Sequence, residues 1–198
     1  LQKVQGMGVQ VLTGIEVKNY QSHHHGIELQ TSIPSLQEAG IKFTAQQLLL
    51  CTNAFTKSIF PSIDITPNRG QVLITAPIPH LSFTGTFHFD QGYYYFRNVG
   101  NRLLSGGARN KAFETENTEV METTTVIQNA LEQFIREHLL PDIAFTVSDK
   151  WSGIMAIGKE KIPLIQSVSP NVFCCVRMSG MGVALAPVAA KEVAQLMS

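Results

Sequence analysis

The segment Ser179-Gly180-Met181-Gly182, followed by Val183-Ala184-Leu185-Ala186-Pro187, carries the clearest chemical signal in the chain. A glycine-rich turn between a buried strand and a helix N-terminus exposes backbone N–H groups at the positive end of a helix dipole. Such a turn can stabilise a phosphate, a carboxylate or a developing anion. It can equally serve close helix–strand packing, where a Cβ would not fit. Tyr93, Tyr94 and Tyr95 form a second candidate. In a strand Tyr93 and Tyr95 share one face, and Arg97 lies on the face of Tyr95. A tyrosine offers an apolar wall and a hydroxyl, and an arginine beside it can clamp a carboxylate through two hydrogen bonds. Ordinary sheet packing and a solvated arginine are the competing readings.

Other motifs carry less. His23-His24-His25 are consecutive, so their side chains diverge, and no Cys, Asp or Glu stands at metal-ligand spacing; no metal site is expected. Cys174 and Cys175 sit in an apolar run, where thiols are usually inert. G-x-S-x-G, H-E-x-x-H and G-x-x-x-x-G-K motifs do not occur, and the pairs Gly6/Gly8 and Gly180/Gly182 lack the third glycine of a dinucleotide fingerprint.

These residues must be positioned by an α+β scaffold. Val9, Val11, Ile15 and Val17 alternate with polar residues around Gly14, which reads as a bent strand. A hairpin connection over residues 19–26 and a return strand from Gly26 follow. Residues 42–51 read as a third strand, buried at Leu48, Leu49 and Leu50. Pro61, Pro67, Pro77 and Pro79 mark a crossing between domains. Residues 70–75 form a strand, and residues 93–97 pair through Gly100-Asn101 with residues 102–105. From 117 to 140 the period becomes 3.6, with Val120, Thr124, Ile127, Leu131, Phe134 and Ile135 on one face. Glu114, Glu116 and Glu119 crowd its N-terminal end, where the dipole favours them. Residues 145–150 read as a strand, 151–158 as a loop and 172–176 as a buried strand. A final helix carries Ala189, Val193 and Leu196 on one face, with Pro187 in its first turn or at a kink.

The chain has 198 residues, 44% of them hydrophobic, with 15 basic and 15 acidic side chains. That apolar content excludes disorder, and zero net charge without a basic stripe argues against nucleic acid. The longest apolar run, from Val183 to Ala190, is too short for a membrane span. Three cysteines make no disulfide framework, so a cytoplasmic location is expected. Leu1, Val4 and Met7 at helical spacing, followed by Gly8, read as the end of a helix begun earlier. The chain is therefore expected to be a fragment.

Taken in order, five segments resemble the D-amino-acid oxidase/glycine oxidase family of FAD-dependent oxidoreductases. They are Cys51-Thr52-Asn53-Ala54-Phe55, residues 67–73 (Pro-Asn-Arg-Gly-Gln-Val-Leu), the stretch from Tyr95 to Gly107, Trp151-Ser152-Gly153-Ile154-Met155, and Ser179-Gly180-Met181-Gly182 with Leu185-Ala186-Pro187. The resemblance implies residues 1–66 as part of an FAD-binding domain with a β-meander, 67–148 as a substrate-binding domain with a mixed or antiparallel sheet and a long helix, and 149–198 as a return to the FAD-binding domain. It implies oxidation of a C–N bond of an amine or amino acid by hydride transfer to flavin. Tyr95, Arg97, Trp151 and Met155 would face substrate; Val17, Asn53, Gly180, Met181 and Gly182 would face FAD. No catalytic acid or base is implied.

Departures accompany the match. The family's opening strand, G-x-G-x-x-G turn and helix are absent, so these residues alone are expected neither to hold FAD nor to be active. An apolar sheet face left near Leu48–Leu50 and residues 173–176 is expected to favour self-association. Where amino-acid oxidases carry an arginine that clamps the substrate carboxylate, this chain has Met155. A non-catalytic binding domain and a flavin-dependent RNA-modifying enzyme are the alternative readings.

Overall fold

A computed structural model describes residues 1–36 and 38–198. In chain order the elements are α1 (Gln2–Gly6), β1 (Glu16–His23), β2 (Gly26–Ile33), β3 (Glu38–Ala39), β4 (Phe43–Ala45) and β5 (Leu48–Leu50). A 3-10 turn (Asn53–Phe55) and α2 (Thr56–Ile59) lead to β6 (Thr66–Thr75), β7 (Thr86–Phe89), β8 (Tyr94–Val99) and β9 (Arg102–Gly107). Then come α3 (Thr125–Phe134) with a π-helical turn (Ile135–Leu139), β10 (Val147–Ile157), β11 (Leu164–Ser169), β12 (Val172–Val176) and α4 (Gly182–Leu196). The chain forms two compact units. The first comprises Leu1–Ile63, Pro163–Val176 and Val183–Ser198; the second comprises Asp64–Ile162 and Arg177–Gly182.

In the first unit β1, β2 and β3 form an antiparallel meander, with β4 also paired to β2. The expected strand from Val9 begins only at Glu16, and residues 9–15 are irregular. The hairpin is tighter than expected: His23 pairs with Gly26, so His24 and His25 alone make the turn. All three histidines are exposed. The expected third strand divides in two, because β4 joins the meander while β5 runs parallel to β12 in a separate sheet of order β11-β12-β5. Strand β11 had no counterpart among the expected elements. Every residue of β12 is buried, as its unbroken apolar run requires. Leu50 is buried, but Leu48 and Leu49 are only half-buried and Cys51 is exposed. Partial desolvation raises the thiol pKa of Cys51, and burial raises that of Cys175. Pro187 lies inside α4, beyond the first turn. Ala189 and Val193 are buried there, but Leu196 is exposed, so the buried stripe is shorter than expected.

The second unit is a five-stranded antiparallel sheet of order β10-β6-β9-β8-β7. The β8–β9 hairpin turns at Gly100-Asn101, where the spacing places it. Helix α3 covers one face through Ile127, Leu131 and Phe134, continued by Ile135, on Leu73, Tyr94 and Leu103. The helix starts at Thr125 rather than near residue 117. Glu116 is not at a helix N-terminus; its carboxylate is buried against Arg69 and Gln71 of β6. Gln128 is buried and donates to Gln71. Residues 151–158 are not a loop: β10 continues to Ile157, paired with β6 down to Thr66. Among the described residues no helix is long and apolar enough to cross a membrane, and no cluster of three metal-ligating side chains exists.

Candidate functional site

Directly opposed residues in an antiparallel pair project to the same face, so the pairing registers assign side chains to faces. One row reads Trp151, Val72, Gly106, Tyr95 and His88 across β10, β6, β9, β8 and β7. The next row toward the hairpin end holds Asp149, Ile74, Leu104, Arg97 and Thr86. In the other direction Gly153 faces Gly70, and Met155 faces Asn68. Phe96, one residue from Tyr95, packs on Phe134 of α3. The rows above therefore lie on the sheet face opposite the helix.

That face is paved with glycine. A Cβ on Gly106 would sit 2.5 Å from Cζ and Oη of Tyr95 and from Cγ1 of Val72. The bare backbone of Gly106 is thus what allows the Tyr95 ring to lie across β9, its hydroxyl directed toward β6. Burial raises the pKa of this phenol, so Tyr95 keeps its proton and remains a donor. Its ring centroid is 6.5 Å from that of His88. Gly153 has open space around it, and Trp151 beside it is exposed.

Met155 stands where the face meets the glycine-rich turn. Its Cε lies 3.2 Å from a Cβ built on Gly70, and its Sδ 3.4 Å from one built on Gly180. The turn is tied to β10 through Ser179 N–H, which donates to the Ala156 carbonyl, and it closes through Met181 N–H to Met178. Arg177, Ser179 and Gly180 all have positive φ, at 64°, 49° and 80°. Arg177 itself is buried and donates to the Asp64 carboxylate at 2.6 Å and to the Ile162 carbonyl.

Of the four expected substrate residues, the structure places all on one face but not in one cluster. Met155 touches the Gly180 turn; Tyr95 and Trp151 share a row, three strand spacings or about 14 Å apart. Arg97 is exposed on β8 near the hairpin end, and its side chain makes no hydrogen bond or ion pair among the described residues. Tyr93 precedes β8 and turns its ring to Phe113, so it does not join Tyr95. In the first unit Val17 is half-buried beside the bulge between Val17 and Asn19, and Asn53 opens the 3-10 turn with φ 45°. Asn68, Gly70 and Gly106 escaped the sequence reading as site residues. Only the strand register sets them beside Met155 and Tyr95.

The helix side of β6 has the opposite character. Arg69 Nε and Nη2 donate to the two Glu116 carboxylate oxygens at 2.9 and 2.7 Å, and Gln71 and Thr124 complete the network. Desolvation pushes the Glu116 pKa up, but the hydrogen bonds from Arg69 and Gln71 and the Arg69 charge prevail and hold it below its ordinary value. The same bond raises the Arg69 pKa.

The α+β fold of this chain is shared by solved structures. L-proline dehydrogenase from P. horikoshii matches with a TM-score of 0.79 at 18% identity, over 100% of this chain and 53% of its own. Glycine oxidase from Geobacillus kaustophilus matches with 0.76 at 22% identity, over 92% and 48%. L-amino acid deaminase from Proteus vulgaris matches with 0.74 at 14% identity, over 99% and 56%. The chain thus spans about half the length of the structures it matches. No curated protein sequence matches it. The model of the FAD dependent oxidoreductase family, DAO, covers residues 1–196, and the chain belongs to that family.

Proposed function

We propose that the protein oxidises a C–N bond of a small amine or amino acid, with FAD as the hydride acceptor. The observation that carries this is the open sheet face, where Tyr95 is held flat over Gly106 on the same side as Met155 and the Gly180 turn. When bound, FAD supplies hydride acceptance from the carbon that bears nitrogen. Gly180, Met181 and Gly182 would hold the flavin edge. The turn suits that role: Ser179 Oγ is buried without a partner, and Gly180 itself carries no side chain. Val17 and Asn53 of the first unit are proposed as further FAD contacts on the family resemblance.

Tyr95 walls the substrate and donates a hydrogen bond from its protonated phenol. Trp151 bounds the same row, and Arg97 is available to an anionic group at the hairpin end. In this reading residues 67–148 with β10 bind substrate, and residues 1–66 and the C-terminal segment bind cofactor. The matched structures named for proline, glycine and L-amino acids support the substrate class. Three free thiols support a cytoplasmic location.

The test is anaerobic mixing of flavin-loaded protein, expressed from its whole open reading frame, with a panel of amines and amino acids. At least one member is expected to bleach the oxidised flavin band. Tyr95→Phe is expected to lower kcat/KM on the order of 10-fold, the loss of one buried hydrogen bond. A panel without any bleaching overturns the reading.

A further inference from the structure

On the α3 side of the second unit's sheet, a cavity of about 200 Å³ opens between the turn from β7 to β8 and the C-terminal end of α3. Its floor is aromatic. Tyr94 stacks on Phe134 with ring centroids 4.5 Å apart. Phe89, directly opposite Tyr94 in the β7–β8 pair, lies 5.1 Å from Phe134 and 5.0 Å from His138. Asp90 enters from the turn, where it and Gln91 hold positive φ of 50° and 54°. Glu137 and His138 enter from the π-helical turn, one turn beyond Gln133 and Phe134.

The hydroxyl of Tyr94 is the orphan at this floor. The residue is 6% exposed, and its side chain makes no hydrogen bond among the described residues. Burial raises the pKa of its phenol, and the charges of Asp90 and Glu137 raise it further. Both carboxylates therefore act on the phenol from the cavity they line with it. Neither is neutralised by a neighbour. Asp90 has no ion pair or side-chain hydrogen bond among the described residues. Glu137 accepts from the neutral Gln133 amide at 2.8 Å, and His138 Nε2 stands 4.0 Å from its other oxygen, beyond hydrogen-bond reach. Lys111 lines the same cavity but is exposed and makes no ion pair with either carboxylate.

A buried hydroxyl without a partner is unfavourable unless a ligand or water completes it. A primary ammonium carries three N–H donors, and one phenol oxygen with two carboxylates is an acceptor set of matching number. The exposed ring of Phe89 adds apolar cover and a π-face that attracts a cation.

We propose that this cavity binds the ammonium group of a small organic amine, with Tyr94 Oη, Asp90 and Glu137 as acceptors and Phe89 against the carbon body. The site lies on the sheet face opposite Tyr95 and Trp151, and it does not depend on the redox function proposed for that open face.

The probe is tert-butylammonium, whose nitrogen-bearing carbon has no hydrogen to give up as hydride. It is titrated calorimetrically into flavin-loaded protein expressed from its whole open reading frame, beside tert-butanol and pivalate, the neutral and anionic analogues of similar shape. Wild type is expected to bind the ammonium on the order of 10-fold more tightly than either analogue. Asp90→Asn combined with Glu137→Gln is expected to weaken it by on the order of 10-fold or more, and Tyr94→Phe, which keeps the ring, by several-fold. The component of binding lost in D90N/E137Q is expected to persist in Trp151→Ala, because Trp151 stands on the other face. Circular dichroism checks folding, and Tyr94→Phe decides the matter if the double variant does not fold. No ammonium binding by wild type, pivalate binding as tight as ammonium, or undiminished affinity in D90N/E137Q each overturns the proposal. Binding that survives in D90N/E137Q but is lost in Trp151→Ala places the ammonium on the open face and overturns it as well.

Discussion

On the α3 side of the second unit's sheet, β6 presents Arg69, Gln71 and Leu73, all buried, and each polar group among them is hydrogen-bonded. On the other side the same strand presents Asn68, Gly70 and Val72, where one buried oxygen has no partner and glycine replaces side-chain bulk. Alternation sends these two sets of residues to opposite faces of one backbone. The contrast separates their duties. Charge that must stay buried is neutralised and locked on the helix side, whereas on the other side glycine keeps side-chain bulk away from the backbone.

Breaking the locked face should have the largest effect. Arg69→Ala leaves the Glu116 carboxylate buried without its cation, and is expected to destabilise the second unit by about 3–5 kcal/mol. Urea unfolding followed by Trp151 fluorescence reads this unit directly. Replacing both partners by apolar residues, R69M with E116L, should cost far less, because no charge then remains stranded. Equal losses for the single and double variants would mean that the pair merely fills volume.

A smaller effect follows from pH. The folded pKa of Glu116 is held below its ordinary value, so its stabilising contribution is fully present above that ordinary value. It is lost as pH falls through the lowered folded pKa, when the carboxylate takes up a proton and the Arg69 bond weakens. Acid unfolding of wild type should therefore be steeper in that window than that of Glu116→Gln. Parallel acid limbs for the two proteins would show that Glu116 does not couple folding to protons.

Much of this layout is legible in the residues. The alternation of Tyr94, Tyr95, Phe96 and Arg97 assigns their faces, and the spacing of Ile127, Leu131 and Phe134 marks the buried stripe of α3. Long-range pairing is what escapes. Residues 151–158 look like a loop because Ser152, Gly153 and Gly158 weaken strand propensity, yet β6 supplies a partner for β10 as far as Ile157. Glu114, Glu116 and Glu119 look like the acidic start of a helix. Glu116 instead answers Arg69, 47 residues earlier, and no local pattern encodes that pairing. Gly106 reads as the end of a hairpin until the register sets it under Tyr95.

On the open face the first prediction concerns that glycine. Gly106→Ala places a methyl where Cζ and Oη of Tyr95 and Cγ1 of Val72 now lie. The tyrosine ring is the movable partner, so the expected cost is about 1–2 kcal/mol, at the low end of overpacking. The informative readout is the Tyr95 phenol, whose pKa is raised by burial. Displaced toward solvent in G106A, it should titrate closer to an ordinary tyrosine in ultraviolet difference spectra. An unchanged titration would mean that the ring does not rest on Gly106.

The smallest stability effect is expected at Trp151, and it sharpens the contrast most. The side chain is 45% exposed and faces Val72 across β10 and β6 with nothing packed above it by α3. Truncation to alanine leaves no closed cavity and strands no polar group, so the free energy from urea unfolding, now followed by circular dichroism, should change by less than about 1 kcal/mol. If the face receives a ligand, the same substitution removes an aromatic wall and should weaken binding of an amine on the order of 10-fold. A residue that matters to the ligand and hardly to the fold is the inverse of Arg69. A large loss of stability in Trp151→Ala would place this row in the core of the unit, and the division of duties between the two faces of β6 would no longer hold.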